Sequence, residues 1–264
     1  MTDNTIIQTT SPTANAEKDT PTSKIDSFTL RPIARVRCDF PTKFGVPRQS
    51  GLSPSLRAEI IFEEPYRDKN ALRGLEDYSH IWLIWGFSER RSIPGDRWSP
   101  TVKPPRLGGN IRMGVFATRS PNRPNPIGLS SVKLEKIEYR GTDGPVLLIS
   151  GADLLNGTPI YDIKPYLSFT DSHPDAKNGF AEAHRNDFLT VNFPTELIEK
   201  IPPEKREGLL ETLRQDPRPS YAAADGTPYG VAYAGMDVRF SVEGDTLTVF
   251  AIADLAENPT RVKE

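Results

Sequence analysis

The chain predicts a mainly β protein, a small antiparallel β-barrel followed by a smaller α+β extension. Three observations point there. Short apolar or alternating runs recur at 29–37, 58–62, 80–87, 111–118, 131–139, 146–150 and 159–163, each with the period or β-branched content of a strand. Turns rich in Gly, Pro and Asn separate them, where βαβ units would carry long helical patterns. Finally, 264 residues of which 36% are hydrophobic suffice to bury a sizeable core.

Taken in order, residues 1–27 read as a disordered tail, too polar to offset its own ordering entropy and without the basic and apolar regions of a signal peptide. Residues 28–170 hold the strand-like runs and form the expected barrel domain, with one short helical piece at 69–75. Residues 171–264 form the expected α+β domain. Within it, 195–214 places Leu197, Ile198, Ile201, Leu209, Leu210 and Leu213 on a helical period, with Thr195 as N-cap and Pro202-Pro203 splitting the segment. The runs 229–240 and 246–253 then alternate around Glu243-Gly244-Asp245, a hairpin signal.

Composition removes several function classes. Cys38 is the only cysteine, so no intrachain disulfide and no cysteine-based zinc site is expected. His80, His173 and His184 are scattered, so no metal is expected. The longest apolar run, 81–87, suits a buried strand and is far too short to span a membrane. A cytoplasmic, metal-independent protein is the expectation. No Gly-rich dinucleotide fingerprint, phosphate loop or nucleophile elbow is present, which disfavours hydride transfer, NTP hydrolysis and triad hydrolysis.

The segment 97–130 carries Arg97, Lys103, Arg106, Arg112, Arg119 and Arg123 with no Asp or Glu, in a chain of formal net charge -2. Pro100, Pro104, Pro105, Pro121, Pro124 and Pro126 stiffen it, so its arginines lose little entropy on meeting a phosphate or carboxylate. Solvated surface arginines on a Pro-rich connection are the plain alternative. Gly108-Gly109 and Gly114 permit close backbone approach and equally suit tight turns. The residues alone lead to an anion-binding, β-rich protein with RNA as a candidate ligand.

The strings GVPRQSGL at 45–52, RGLEDYSHIWLIW at 73–85, RLGGNIRMGVFATRSPNRPNPIGLS at 106–130 and GADLLNGTPIYDIKPY at 151–166 occur in that order. QDPRPSY at 215–221 and MDVRF at 236–240 follow them. Together they resemble the bacterial tRNA (adenine(37)-N6)-methyltransferase family, which methylates N6 of the adenosine just 3′ of the anticodon, over residues 28–264. The resemblance implies S-adenosyl-L-methionine bound on a small antiparallel barrel, a homodimer, and tRNA as partner through its anticodon stem-loop. It implies as acceptor an adenosine already carrying a threonylcarbamoyl group, chiefly in threonine tRNA.

Carried over motif by motif, the implied cofactor pocket comprises Pro47, Arg48, Gln49, His80, Ile81, Arg119, Leu129, Asn156, Gly157, Thr158 and Pro159. Arg48 or Arg119 can pair with the cofactor's carboxylate, because a planar guanidinium binds that group in bidentate fashion. Gln49 and His80 can contact its amino-acid portion, ribose or adenine edge. Asn156 stands where the family is expected to favour Asp, which leaves hydrogen bonding to the ribose without a charge. Asp162, Lys164 and Tyr166 of the DIKPY string are the candidates on the acceptor side: Asp162 as hydrogen-bond acceptor for the adenine amine, Lys164 on a phosphate and Tyr166 on the base. Asp162 and Lys164 lie two apart, so a plain surface ion pair is their other reading. Arg106, Arg112, Arg123, Arg218 and Tyr221 are the RNA-binding candidates, with Asp216 and Pro219 beside the last two. Two readings of other classes stand beside the enzyme: a non-catalytic tRNA-binding protein, and a β-barrel that binds a small anion.

Overall fold

Strand β1, Ala34–Cys38, turns Ala34 and Val36 inward and leaves Arg35 and Arg37 exposed, the alternation of a strand with one buried face. The chain is described here by a computed structural model covering residues 29–87, 98–104, 111–219, 222 and 224–256. The same alternation shapes β2 (Arg57–Phe62) and β3 (His80–Gly86). After a two-residue pair, β4 (Thr101–Val102) with β5 (Met113–Gly114), it returns in β6 (Ile127–Arg140), β7 (Gly144–Ser150) and β8 (Pro159–Pro165). Six of these close into a barrel in the order β1-β2-β7-β6-β3-β8, every pairing antiparallel. Closure leaves no strand edge to aggregate. Ile60, Ile81, Leu83, Leu147, Ile149 and Ile160 are 0% exposed inside it. Each such side chain stabilises the fold by about 1.5–3 kcal/mol of transfer free energy.

Downstream, after the short α1 (Ser168–Asp171), come β9 (Thr190–Asn192), α2 (Thr195–Ile198) and α3 (Pro203–Arg214). They are followed by β10 (Tyr229–Tyr233), β11 (Met236–Glu243) and β12 (Thr246–Asp254). The sheet order is β10-β11-β12-β9, with β9 parallel to β12. Leu209 and Leu213 of α3 share its core with Val238, Phe240, Leu247 and Val249.

The connection between β1 and β2, residues 39–56, joins the two cores. Phe40 and Leu56 belong to the second core although they flank barrel strands. Phe44 stacks on Tyr229 with centroids 6.3 Å apart, and Phe40 meets Tyr233 at 5.1 Å. From α3, Lys205 pairs with Asp39 at 2.5 Å and Glu211 accepts from the N–H and hydroxyl of Ser55, each at 2.9 Å.

Several sequence expectations are corrected. The run 111–118 is a strand only at Met113–Gly114 and tightens into a 3-10 turn at Val115–Ala117; among the described residues only the two residues of β4 offer it a partner. The piece at 69–75 is two 3-10 turns, Lys69–Leu72 and Leu75–Asp77, parted at Gly74. Thr195 does not cap α2: Pro194 occupies that position and Thr195 is the first helical residue, with no side-chain cap. The run 229–240 is itself a hairpin turning at Ala234-Gly235, both at positive φ. Residues 29–33 are not strand, Pro32 supplying no N–H for a ladder. The proposed tail, 1–27, lies outside the described residues.

Candidate active site

Strand β3 sets the first half of the site. With Ile81 and Leu83 in the core, His80, Trp82 and Ile84 face outward. Register then aligns Leu129 of β6, Ile84 and Asp162 of β8 across one row, and Ser131, Trp82 and Lys164 across the next. Opposed residues of antiparallel strands share a face, so Leu129, His80, Asp162 and Lys164 lie on one outer surface. Tyr166 joins them: its N–H donates to the His80 carbonyl at 3.0 Å, and its ring lies 5.5 Å from Trp82 and 6.1 Å from His80. Asp171 braces this surface by accepting from the Trp82 indole at 2.8 Å and from the Leu167 N–H at 3.0 Å. Those donors, the Leu167 N–H first, hold its carboxyl below the usual carboxylate range. Lys164 sits 2.9 Å from Asp162, whose other oxygen accepts from the Ile163 N–H at 2.9 Å. The surface ion pair is thus formed, with the Asp162 side chain still 46% exposed.

The second half lies at one end of the barrel, where the 39–56 connection meets the basic segment and the loop after β7. Arg119 donates to the Gln49 side-chain oxygen. Pro47 is buried. Arg48 reaches away to the other domain, donating to the carbonyls of Asp216 at 3.0 Å and Arg218 at 3.2 Å. Asp153 lies in the loop after β7. It accepts from the Ser130 hydroxyl at 2.6 Å, and that hydroxyl accepts from the Trp85 indole at 2.9 Å. Burial pushes the Asp153 carboxyl up, opposed by the Ser130 hydroxyl, its own N–H, the Arg119 charge and the Ser50 N–H.

The NGTP turn is tied to β1. Asn156 accepts from the Cys38 N–H on its side-chain oxygen at 3.1 Å, and the Gly157 N–H donates to the Val36 carbonyl at 2.8 Å. Gly157 takes φ +81°, a conformation that strains any side-chain-bearing residue. Thr158, buried, donates its hydroxyl to Leu155 at 2.7 Å, and Pro159 opens β8.

Residues 35–172 match the tRNA-methyltransferase O N-terminal domain, and residues 187–255 match the TrmO C-terminal domain. The chain belongs to the tRNA-methyltransferase O family. Relatives in this family include the tRNA (adenine(37)-N6)-methyltransferase of Escherichia coli K12, 41% identical over 236 residues, covering 86% of this chain and 99% of that protein. The "Putative S-adenosylmethionine-dependent methyltransferase RcsF" of Pseudomonas aeruginosa PAO1 is 38% identical, covering 81% of this chain and 92% of that protein. A crystal structure of TrmO from P. aeruginosa superposes with a TM-score of 0.70 at 33% identity, covering 88% of this chain and all of that one. The barrel and C-terminal sheet are therefore the architecture of tRNA-methyltransferase O proteins.

Within this family member the sequence-derived residues fall into four placements. Gln49 and Arg119 meet directly, and His80, Leu129, Asp162, Lys164 and Tyr166 share the outer surface. The side chains of Ile81 and Thr158 are buried, so contact with a ligand there falls to their backbone. Asn156 and Arg48 are engaged within the protein. Of the RNA candidates, Arg112 is exposed and donates to Thr101 at 2.7 Å, and Arg123 donates to the Thr118 carbonyl at 3.2 Å. Arg218 is only 7% exposed and forks onto Asp216 with two 2.8 Å bonds, which turns its charge inward. Arg106 and Tyr221 lie outside the described residues. Asp153, Ser130 and Trp85 escaped the sequence reading. The available signal was Asp153 itself, an acid between Ala152 and Leu154, where apolar neighbours foretell burial and hence a partner.

Proposed function

We propose that the protein transfers the methyl group of S-adenosyl-L-methionine to N6 of adenosine 37 in the anticodon loop of tRNA. The observation that carries the reading is the meeting of Gln49 with an exposed Arg119 at the barrel end, beside the outer surface of Leu129, Asp162, Lys164 and Tyr166. An exposed guanidinium fits the cofactor's carboxylate, while backbone carbonyls suit its ammonium and sulfonium. Because Arg48 is engaged on two carbonyls, the carboxylate falls to Arg119. When bound, the cofactor supplies an electrophilic methyl carbon.

The chain's own residues then align the acceptor. In-line displacement at carbon is governed by placement, and the exocyclic amine is a weak nucleophile that gains from an acceptor for its proton. Asp162 fills that role, Lys164 neutralises it and holds an RNA phosphate, and Tyr166 stacks on the base. An anticodon-loop base is already unpaired, so its presentation costs less than extraction from a duplex. Arg112 and Arg123 face the loop's phosphates. Residues 28–170 serve as the methyltransferase domain, and 171–264 aid tRNA recognition.

The reading extends to a threonylcarbamoylated adenosine 37, chiefly in threonine tRNA, and to a cytoplasmic homodimer. Phe116, 72% exposed, and Leu129, 56% exposed, offer apolar surface for a second copy to cover. The experiment is calorimetric titration of S-adenosylmethionine, followed by labelled-methyl transfer to threonine tRNA anticodon stem-loops with and without the threonylcarbamoyl group. Transfer to the modified loop alone fits the reading; transfer only to the bare loop removes the acceptor, and no cofactor binding removes the enzyme.

A further inference from the structure

We propose that Asp216, with Gln215 and Arg218 beside it, is a positioning residue of the cofactor site: it shapes the turn after α3 whose carbonyls anchor Arg48, and through Arg48 it sets the Gln49 and Arg119 pair that receives S-adenosylmethionine. This inference rests on the cofactor reading above. The path is a chain of hydrogen bonds. Nη2 of Arg48 donates to the Asp216 carbonyl at 3.0 Å and to the Arg218 carbonyl at 3.2 Å, one hydrogen to each. The backbone carbonyl of the same Arg48 accepts from the Gln49 side-chain nitrogen, and the Gln49 side-chain oxygen accepts from Arg119.

Gln215 secures the rest of that loop. It is buried, and its amide nitrogen lies 3.1 Å from the Leu52 carbonyl, 2.6 Å from the Ser53 hydroxyl and 3.2 Å from the Glu211 carbonyl. Carbonyls only accept, so the amide nitrogen and not its oxygen must face them. That oxygen is buried without a partner among the described residues, an unfavourable state that the donors on the nitrogen offset. One turn earlier, Glu211 accepts from the N–H and the hydroxyl of Ser55, each at 2.9 Å. Residues 48–55 are therefore pinned by the end of α3.

Asp216 is the informative residue. It follows the C-cap Gln215 at φ +51°, with its N–H donating to the Leu213 carbonyl at 3.2 Å, in the left-handed position that ends many helices and that glycine fills best. A carboxylate there is disfavoured twice, by its Cβ in the left-handed region and by the partial negative charge of the helix C-terminus. The buried guanidinium of Arg218 offsets both, forking onto the two carboxylate oxygens at 2.8 Å each. Ending a helix requires no such fork, whereas presenting two carbonyls to one guanidinium requires a turn held in a single shape. Asp216 and Arg218 hold that shape before any ligand arrives, which preorganises the Gln49 loop.

The test uses full-length protein and S-adenosylmethionine as the probe, read by calorimetry, by steady-state methyl transfer to tRNA, and by thermal melting. The double variant Asp216→Gly with Arg218→Met suits the left-handed turn, removes the fork and leaves no charge buried alone. It is expected to raise the cofactor Kd and KM about five-fold, with kcat at saturating cofactor within about two-fold. Asp216→Asn tolerates the same turn and keeps an acceptor for Arg218, so it should retain most of the affinity. Should the double variant fail to fold, Gln215→Met, which removes the donors to Leu52 and Ser53 at similar side-chain length, decides the matter by the same split of KM against kcat. An unchanged cofactor Kd in a folded variant overturns the inference while wild-type binding leaves the function reading intact. A weaker tRNA affinity beside that unchanged Kd overturns it in the same way and puts the pair on the RNA. A lowered melting temperature with kcat and KM moving together also overturns it, as a purely structural role. Wild-type protein that binds no S-adenosylmethionine overturns both.

Discussion

Asp162 is held by Lys164 at 2.9 Å and by the Ile163 N–H at 2.9 Å, yet its side chain remains 46% exposed, so it is oriented without being sequestered. Asp162→Ala should lower turnover by about 10²-fold or more while leaving cofactor affinity within error, as removal of a proton acceptor does. Steady-state rates beside calorimetric Kd values check this, and unchanged turnover takes Asp162 out of the mechanism. Asp171 makes a pH prediction. Its carboxyl is lowered in the fold by the Leu167 N–H and the Trp82 indole, so the stability it contributes is present above the unfolded carboxyl range and is lost as pH falls through the lower folded value. Asp171→Asn should flatten the acid limb of a melting-temperature profile; an identical limb refutes the brace. Cys38 is pushed up to about 11 by burial, so alkylation near neutral pH should be slow in the native protein and rapid once it unfolds. At this scale spacing made the Asp162–Lys164 ion pair legible, because polar residues two apart on a strand share a face, while their place on the acceptor side came from the family resemblance. Spacing left Asp153 unread because its partner Ser130, and Trp85 which donates to Ser130, come from segments far apart in sequence.

Elements were legible where alternation met a full-length partner, and misread where it did not. The barrel strands each have two neighbours, whereas among the described residues 111–118 has only Thr101–Val102 to pair with, and it curls away after Gly114. The 39–56 connection was legible as a motif, PRQ, but its packing was not: Phe40, Phe44 and Leu56 serve the C-terminal core, a tertiary fact no local pattern announces. Its coupling to that domain is testable at Arg48, whose guanidinium donates to the Asp216 and Arg218 carbonyls. Arg48→Met should weaken both cofactor and tRNA binding several-fold, because the loop carrying Gln49 loses its two bonds to the C-terminal domain. Weakening of cofactor binding alone would place Arg48 on the ligand instead. In β6, Gly128 admits the Trp85 indole, which a Cβ there would meet head-on. Gly128→Ala should destabilise the barrel by about 1–3 kcal/mol in a denaturant titration, and a neutral result would show that the indole has room to move.

For the whole molecule, the formal net charge of -2 conceals a segregated basic segment, so attraction to RNA must be local. Binding of a threonine tRNA anticodon stem-loop should weaken linearly in log affinity against log salt, and Arg112→Ala should lower that slope by about one unit. A slope unchanged by Arg112→Ala would put the RNA on another face. Fold class and reaction class were both readable at this scale, the first from strand spacing and the second from motif order. The inward turn of Arg218 onto Asp216 was not, because exposure belongs to packing rather than to the string QDPRPSY. The most direct measurement is mass spectrometry of nucleosides from tRNA of cells lacking the gene, after incubation with the purified protein and labelled S-adenosylmethionine. Label on N6-methylated threonylcarbamoyladenosine at position 37 is the predicted result. Label on any other nucleoside, or none while the cofactor binds, would contradict the account.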